Sequence, residues 1–161
     1  MSKPLNFGAL ALAITFASGS TVEPLTVGRM ASAVQGNGPG SARDVEAIQQ
    51  IVTTFDQTWG SDPVKYAAQY GSVIDWVGPT GTILNDPAAI TALYTFLFTN
   101  VFGGTTRIST IRNLTFLSGT VAVLDIDTRV VGFAHALEKN VLIKRAGEWR
   151  ILLHQQTLVT P

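Results

Sequence analysis

The sequence predicts an α+β domain in which helices cover one face of an antiparallel sheet. Helical apolar periods and helix start signals are confined to residues 41–102. Beyond Pro87 the chain has no proline until Pro161, and the residues between alternate and are rich in Val, Ile, Leu and Thr. The two patterns follow one another instead of interleaving, which is the order of an α+β fold, not of a parallel α/β sheet. The chain has 161 residues, enough for one domain. With 46% hydrophobic and only 14% charged residues it can bury a core, which excludes disorder for most of its length.

Residues 1–42 read as a separate object, with residues 43–161 as the domain. Lys3, Glu23 and Arg29 are the only charges in this first segment, and six of the 15 glycines fall there. The run Leu5–Ala17 is apolar, follows Lys3 and is too short to span a bilayer, so no stable membrane span is expected. A basic start and a short apolar core read as an export signal, to the periplasm or outside the cell. Ala31-Ser32-Ala33 offers a distant cleavage site and Ala17-Ser18-Gly19 a nearer one. The alternative is an N-terminal extension on a cytoplasmic protein. Gly36-Asn37-Gly38-Pro39-Gly40 reads as a linker under either reading.

Three helices follow. Ser41 caps the first, with Asp44 in the capping-box position. Val45, Ile48, Val52, Phe55 and Trp59 then recur at helical steps up to Gly60. Asp62-Pro63 is an N-cap followed by proline at the first helical position, and opens a short helix through Tyr66 and Tyr70 to Gly71. Asp86-Pro87 repeats the device for a third helix, Ala88 to Phe102, stopped by Gly103-Gly104. Its apolar face is broad enough to be covered on more than one side. A short hairpin, Ile74–Gly78 with Thr82–Leu84, lies between the second and third helices. Strands are expected at 107–117, 120–131, 136–146 and 148–159, with tight turns at Leu117-Ser118-Gly119 and Ala146-Gly147.

Composition removes several functions. With no cysteine there are no disulfides, zinc–thiolate sites, iron–sulfur clusters or thiol nucleophile. Two histidines make an all-imidazole metal site unexpected. Eleven basic and 11 acidic residues give a formal net charge of zero, against non-specific nucleic acid binding. There is no phosphate-binding glycine loop, nucleophile elbow or metal-ligand spacing, so neither cofactor nor metal is expected.

The run Phe55…Trp59-Gly60-Ser61-Asp62, Tyr66-Ala67…Tyr70, Asp75-Trp76-Val77-Gly78-Pro79-Thr80-Gly81, Ala89-Ile90…Phe98…Phe102 and the ending Trp149-Arg150-Ile151…Thr157 resembles the nuclear transport factor 2-like superfamily. Within it, the sequence is most similar to the SnoaL-like and SgcJ/EcaC-like branch, over roughly residues 44–159. The resemblance implies a cone-shaped, curved antiparallel sheet wrapped around the three helices, as in cystatin-like folds. It also implies a pocket at the wide end and a homodimer. Members include isomerases, cyclases, epoxide hydrolases, carbonic anhydrases and proteins without a known reaction, so fold does not deliver function. Two departures matter. Tyr94 stands where members often carry His. Val77 stands where ketosteroid isomerase has a catalytic carboxylate and Thr54 where it has a tyrosine, which rejects steroid isomerisation, since Val77 accepts no proton.

Asp125, Asp127 and Arg129 share one strand face by their spacing, opposite Leu124, Ile126, Thr128 and Val130. Parity places these charges outside, on solvent or a dimer seam. A strand bulge would turn them in, where Asp127 beside Arg129 could orient water, as the Asp–Arg–Asp set of limonene-epoxide-hydrolase-like members does. His154, a candidate proton shuttle, shares a face with Leu152 and Gln156 by parity; a hydrogen-bonded structural role competes. His135 falls in a turn after Gly132 and is expected at the surface. Trp59, Tyr66, Tyr70, Trp76, Tyr94, Phe98 and Phe102 are expected on faces lining the cone, as core or as walls for a small apolar or aromatic molecule. Tyr66, Trp76 and Tyr94 are the leading walls. Asp75 reads as a solvated strand-edge group. Asp56 flanks the first helix's stripe, expected at the surface, with a half-buried position the alternative. Pro79-Thr80, Tyr94 and His154-Gln155-Gln156-Thr157 are similar to the set of iota-class carbonic anhydrases, which makes Thr80 a further ligand contact. The function expected is small-molecule binding; the alternatives are a water-activating hydrolase or hydratase, and a dimerising assembly module.

Overall fold

A computed structural model describes residues 38–159. The segment read as a signal or extension lies outside the described residues up to 37. Helices α1 (Ala42–Thr58) and α2 (Pro63–Ala67) come first, then strands β1 (Tyr70–Val77) and β2 (Ile83–Leu84), then helix α3 (Pro87–Asn100). The long strands follow as β3 (Arg107–Ser118), β4 (Val121–Val130), β5 (Ala134–Arg145) and β6 (Glu148–Leu158). The expected α+β order is present. No helix among the described residues is long and apolar enough to cross a membrane.

The start signals act as their chemistry requires. The Ser41 hydroxyl accepts from the Asp44 N–H at 3.2 Å while the Asp44 carboxylate accepts from the Ser41 N–H at 3.1 Å. Asp62 and Asp86 accept from Lys65 and Ala88 N–H groups at the other two helix starts. Helix α2 stops at Ala67, earlier than expected, because Tyr70 already pairs with Ile151 as the first residue of β1. Among the described residues, the sheet and the other helices cover one side of helix α3. Ile90, Leu93, Tyr94 and Phe98 are buried, whereas Ala92, Thr95 and Thr99 are exposed. Hydroxyls of Thr91, Thr95 and Thr99 return to the carbonyls four residues back, on a face that also carries Phe96.

The six strands form one curved sheet in the order β2-β1-β6-β5-β4-β3. The expected antiparallel sheet holds one exception: β1 runs parallel to β6, so the sheet is mixed. Four irregularities interrupt the pairing; two lie on β3, at Ile111/Asn113 and Phe116/Ser118, and the other two bear on the interior of β1 and β6. Between Val141 and Leu142 the pairing to β6 slips, leaving Leu152 as an extra residue. On β1 four residues, 71–74, stand against the same single residue of β6. The turn at Ala146-Gly147 has φ of 50° and 84°, the left-handed pair that closes a tight hairpin. The core lies between the helices and the inner sheet face, around Phe55, Ile48, Ile90, Leu124, Leu142 and Ile151.

The segment read as a linker is packed where it is described. A Cβ on Gly40 would stand 2.4 Å from ring atoms of Phe116, and one on Gly38 would stand 2.3 Å from the Phe116 carbonyl oxygen. Only glycine permits this approach.

Candidate functional site

Two polar clusters occupy the interior, on neighbouring rows of β5 and β6. The first centres on Arg107, the opening residue of β3, whose side chain is 0% exposed. Its Nη2 donates to both Glu138 oxygens at 3.1 and 3.0 Å and lies 3.1 Å from Thr128 Oγ1; Nη1 donates to the Tyr66 hydroxyl at 3.2 Å. Asp56 Oδ1 lies 3.7 Å from Nε. The guanidinium also faces the rings of Phe55, Trp59 and Tyr66, at 5.0, 5.7 and 5.8 Å. Burial opposes the charge of Arg107, but the Glu138 carboxylate together with Tyr66, Asp56 and Tyr70 outweighs it and holds the guanidinium above its usual pKa. Asp56 is half-buried at the contact of α1 with β3 and accepts from Ser109 N–H and hydroxyl. Burial raises its pKa, only partly opposed by Ser109 and Arg107.

The second cluster is a row across three strands. Trp76 registers with His154, and His154 with Asn140. His154 Nδ1 and Asn140 Oδ1 are 2.8 Å apart. The indole of Trp76 stacks on the imidazole at 5.7 Å and 15°. Tyr70 meets His154 edge-on, and Tyr94 meets Trp76 edge-on. The two tyrosine hydroxyls are 3.4 Å apart. Burial raises the pKa of Tyr66, Tyr70 and Tyr94, so all three carry their protons. Burial pushes His154 down to about 4, so its imidazole is neutral at pH 7.

The aromatic residues expected as walls form one continuous ring cluster. Trp59 contacts Tyr66, Phe98 and Phe102; Tyr66 contacts Tyr94 and Phe98. Trp59 Nε1 donates to Thr105 Oγ1 at 2.9 Å. Thr80 is not among them. It is exposed in the β1–β2 turn, 3.3 Å from Thr82 Oγ1.

Asp127, Arg129 and His154 are not brought together. Strand β4 has no irregularity in its pairing with β5, so Asp127 and Arg129 alternate with the buried Ile126, Thr128 and Val130 and lie on the outer sheet face. There Asp127 accepts from or pairs with His135 Nε2 at 2.9 Å, and Arg129 Nε lies 3.9 Å away. His135 is half-buried at the start of β5, not in a turn. His154 instead faces inward with Trp149 and Ile151, because the extra residue Leu152 shifts the alternation. Asp75 is exposed, as expected.

Arg107, Glu138 and Asn140 carry the interior polarity, and sequence reading did not select them. In β5 the run Ala136-Leu137-Glu138-Lys139-Asn140-Val141-Leu142 offers two mixed faces, and the more apolar one turns outward. Two depressions open elsewhere on the described surface. One of about 470 Å³ is bordered by Arg112, Asp125, Leu137, Lys139 and Gln155 on the outer sheet face. The other, about 270 Å³, lies between the β1 irregularity and Arg145 and Arg150. Glu138 borders the first and Tyr70 the second, and neither is lined by Trp76, Tyr94, Asn140 or His154.

Solved structures share this architecture. A domain of unknown function with a cystatin-like fold from Nostoc punctiforme is 21% identical, over 75% of this chain and 80% of that one, with a TM-score of 0.70. A nuclear transport factor 2-like protein of unknown function from Shewanella baltica is 18% identical, over 74% and 96%, with a TM-score of 0.58. A ketosteroid isomerase-like protein from Erwinia carotovora is 20% identical, over 72% and 93%, with a TM-score of 0.60. No family model matches the sequence. No curated protein matches it either. At these identities the likeness is one of architecture: the chain has the cystatin-like, nuclear transport factor 2-like fold.

Proposed function

We propose that the chain is a SnoaL-like small-molecule-binding protein that takes a small apolar or aromatic molecule inside the cone. One observation carries this reading. Trp76 Nε1, Asn140 Nδ2 and His154 Nε2 are buried in one cross-strand row and have no hydrogen-bond partner among the described residues. Buried polar atoms are nearly always satisfied, so a row of three marks a place built to meet something. Tyr70 and Tyr94 pack edge-on beside it. The test is the indole N–H resonances of the three tryptophans, titrated with phenol and with cyclohexanol. The Trp76 signal moves, while those of Trp59 and Trp149, which donate to Thr105 and Asp44, stay in place. An unmoved Trp76 signal at saturating probe refutes the reading.

A second reading rests on Asp56, Arg107 and Glu138. A guanidinium between two carboxylates is an arrangement that can orient water, as expected for a hydrolase or hydratase. The interior set replaces Asp127 and Arg129 as its best carriers. Epoxide opening and carbon dioxide hydration, assayed on the wild type and on Glu138→Gln, decide it: activity that is absent, or unchanged by the substitution, removes the role. For assembly, the outer sheet face supports a homodimer. Val123, Val141 and Leu153 register across it, half-buried and uncovered by any described helix. Sedimentation as a monomer at high concentration counts against the dimer.

A further inference from the structure

The three unpartnered atoms of the row differ in what they ask for, and that difference constrains the ligand. The inference rests on the proposal above that the interior takes a small molecule. Trp76 Nε1 can only donate. Asn140 and His154 spend one polar atom each on their mutual 2.8 Å hydrogen bond. With Oδ1 accepting from Nδ1–H, Asn140 keeps both N–H groups of Nδ2 and His154 keeps a free lone pair on Nε2. Exchanging the two ends of the amide makes Asn140 keep an acceptor and one N–H, and His154 a donor. The count is the same both ways: the pair shows two donors and one acceptor, and Trp76 adds a third donor.

The complement of a donor-rich row with one acceptor is a carbonyl oxygen, whose two lone pairs take two of the donors, beside an N–H or O–H for the acceptor. We propose that the ligand presents a neutral carboxamide, lactam or undissociated carboxylic acid group to the Trp76–His154–Asn140 row. A carboxylate does not fit. It has no proton for the acceptor of the pair, and it would bring a charge into an interior whose one buried cation among the described residues, Arg107, is already held by Glu138. Burial keeps His154 neutral, so the imidazole supplies no second cation. A simple ketone leaves the acceptor facing a methyl group.

The experiment uses matched probes on the full wild-type chain at neutral pH, so no variant has to fold. Benzamide, acetophenone and benzoate have nearly one shape and differ in donors and charge. Acetamide and acetone repeat the contrast without the ring. Binding is read from the Trp76 indole resonance. Benzamide should bind about tenfold or more tightly than acetophenone or benzoate, and acetamide should outbind acetone in the same sense. Equal affinities within each pair, with the Trp76 signal moving, overturn the assignment of the group but leave interior binding standing. A Trp76 signal that none of the probes moves overturns both.

Discussion

Arg107 and Glu138 form an ion pair with side-chain exposures of 0% and 3%, and removing one member tests whether the pair, not packing, holds that part of the core. Glu138→Leu leaves a guanidinium out of water with Thr128, Tyr66 and the more distant Asp56 as its remaining polar company. Breaking a buried pair from one side costs about 3–5 kcal/mol; Asp56 at 3.7 Å keeps this variant near the low end, about 3 kcal/mol. Arg107→Met leaves Glu138 with only Gln156, at 3.4 Å, so about 4 kcal/mol is expected. The double variant Arg107→Met/Glu138→Leu strands no charge. It loses the donors to Thr128 and Tyr66, about 1 kcal/mol each, and so costs about 2 kcal/mol against an additive sum of about 7. The assay is urea unfolding followed by tryptophan fluorescence, with midpoints compared at unchanged slope. A double variant as unstable as the sum of the singles, or a Glu138→Leu cost below about 1 kcal/mol, refutes the reasoning.

Three further outcomes are expected. The Asp44 carboxylate accepts from Lys144, Trp149 and Ser41, which hold its pKa well below the usual carboxylate range; its stabilisation is present above the unfolded value of about 3.9 and is lost as pH falls below it, so Asp44→Asn should lose stability at pH 7 and flatten the acid limb of the urea midpoint. Gly40→Ala should cost about 1–3 kcal/mol through its contact with Phe116, while Gly119→Ala, with nothing near, stays within about 0.5 kcal/mol in the same urea melts. His154, lowered by burial to about 4, contributes stability above the unfolded value of about 6.5 that declines as pH falls toward the folded one; ring nitrogen shifts should report a neutral imidazole down to about pH 5, and an imidazolium at pH 6 contradicts the burial.

The fold was legible because its signals are local. Ser41 with Asp44, Asp62-Pro63 and Asp86-Pro87 announce helix starts by satisfying orphan N–H groups, whatever packs above them. The strand boundaries follow from turn chemistry at Ser118-Gly119 and Ala146-Gly147. The interior was less legible because its signals are relational. Leu152 is an ordinary strand residue in sequence; only its excess over β5 turns His154 inward. Arg107 reads as a surface residue at a strand start until Glu138, 31 positions on, meets it. The parallel pairing of β1 with β6 leaves no local mark either, since a parallel neighbour is chosen by the whole topology and not by a turn. Trp76 and Tyr94 were legible as interior residues because large amphipathic rings on core-facing positions are recognisable one at a time.

The two interior clusters are related through charge. Glu138 raises and Arg107 lowers the proton affinity of His154, and the two act in opposition, leaving burial as the chief cause of the imidazole's neutrality. A lone buried Glu138 would favour an imidazolium and a lone Arg107 would penalise one further, so the salt bridge makes the row insensitive to the charges beside it. This is a different use of a buried ion pair from stabilisation, for which such pairs are poorly suited. It lets a charged residue pair fill the interior next to uncharged hydrogen-bonding groups without dictating their protonation. The row then presents donors and an acceptor of fixed character. That is the property a site needs if it is to tell one neutral polar group from another by hydrogen bonds instead of by charge.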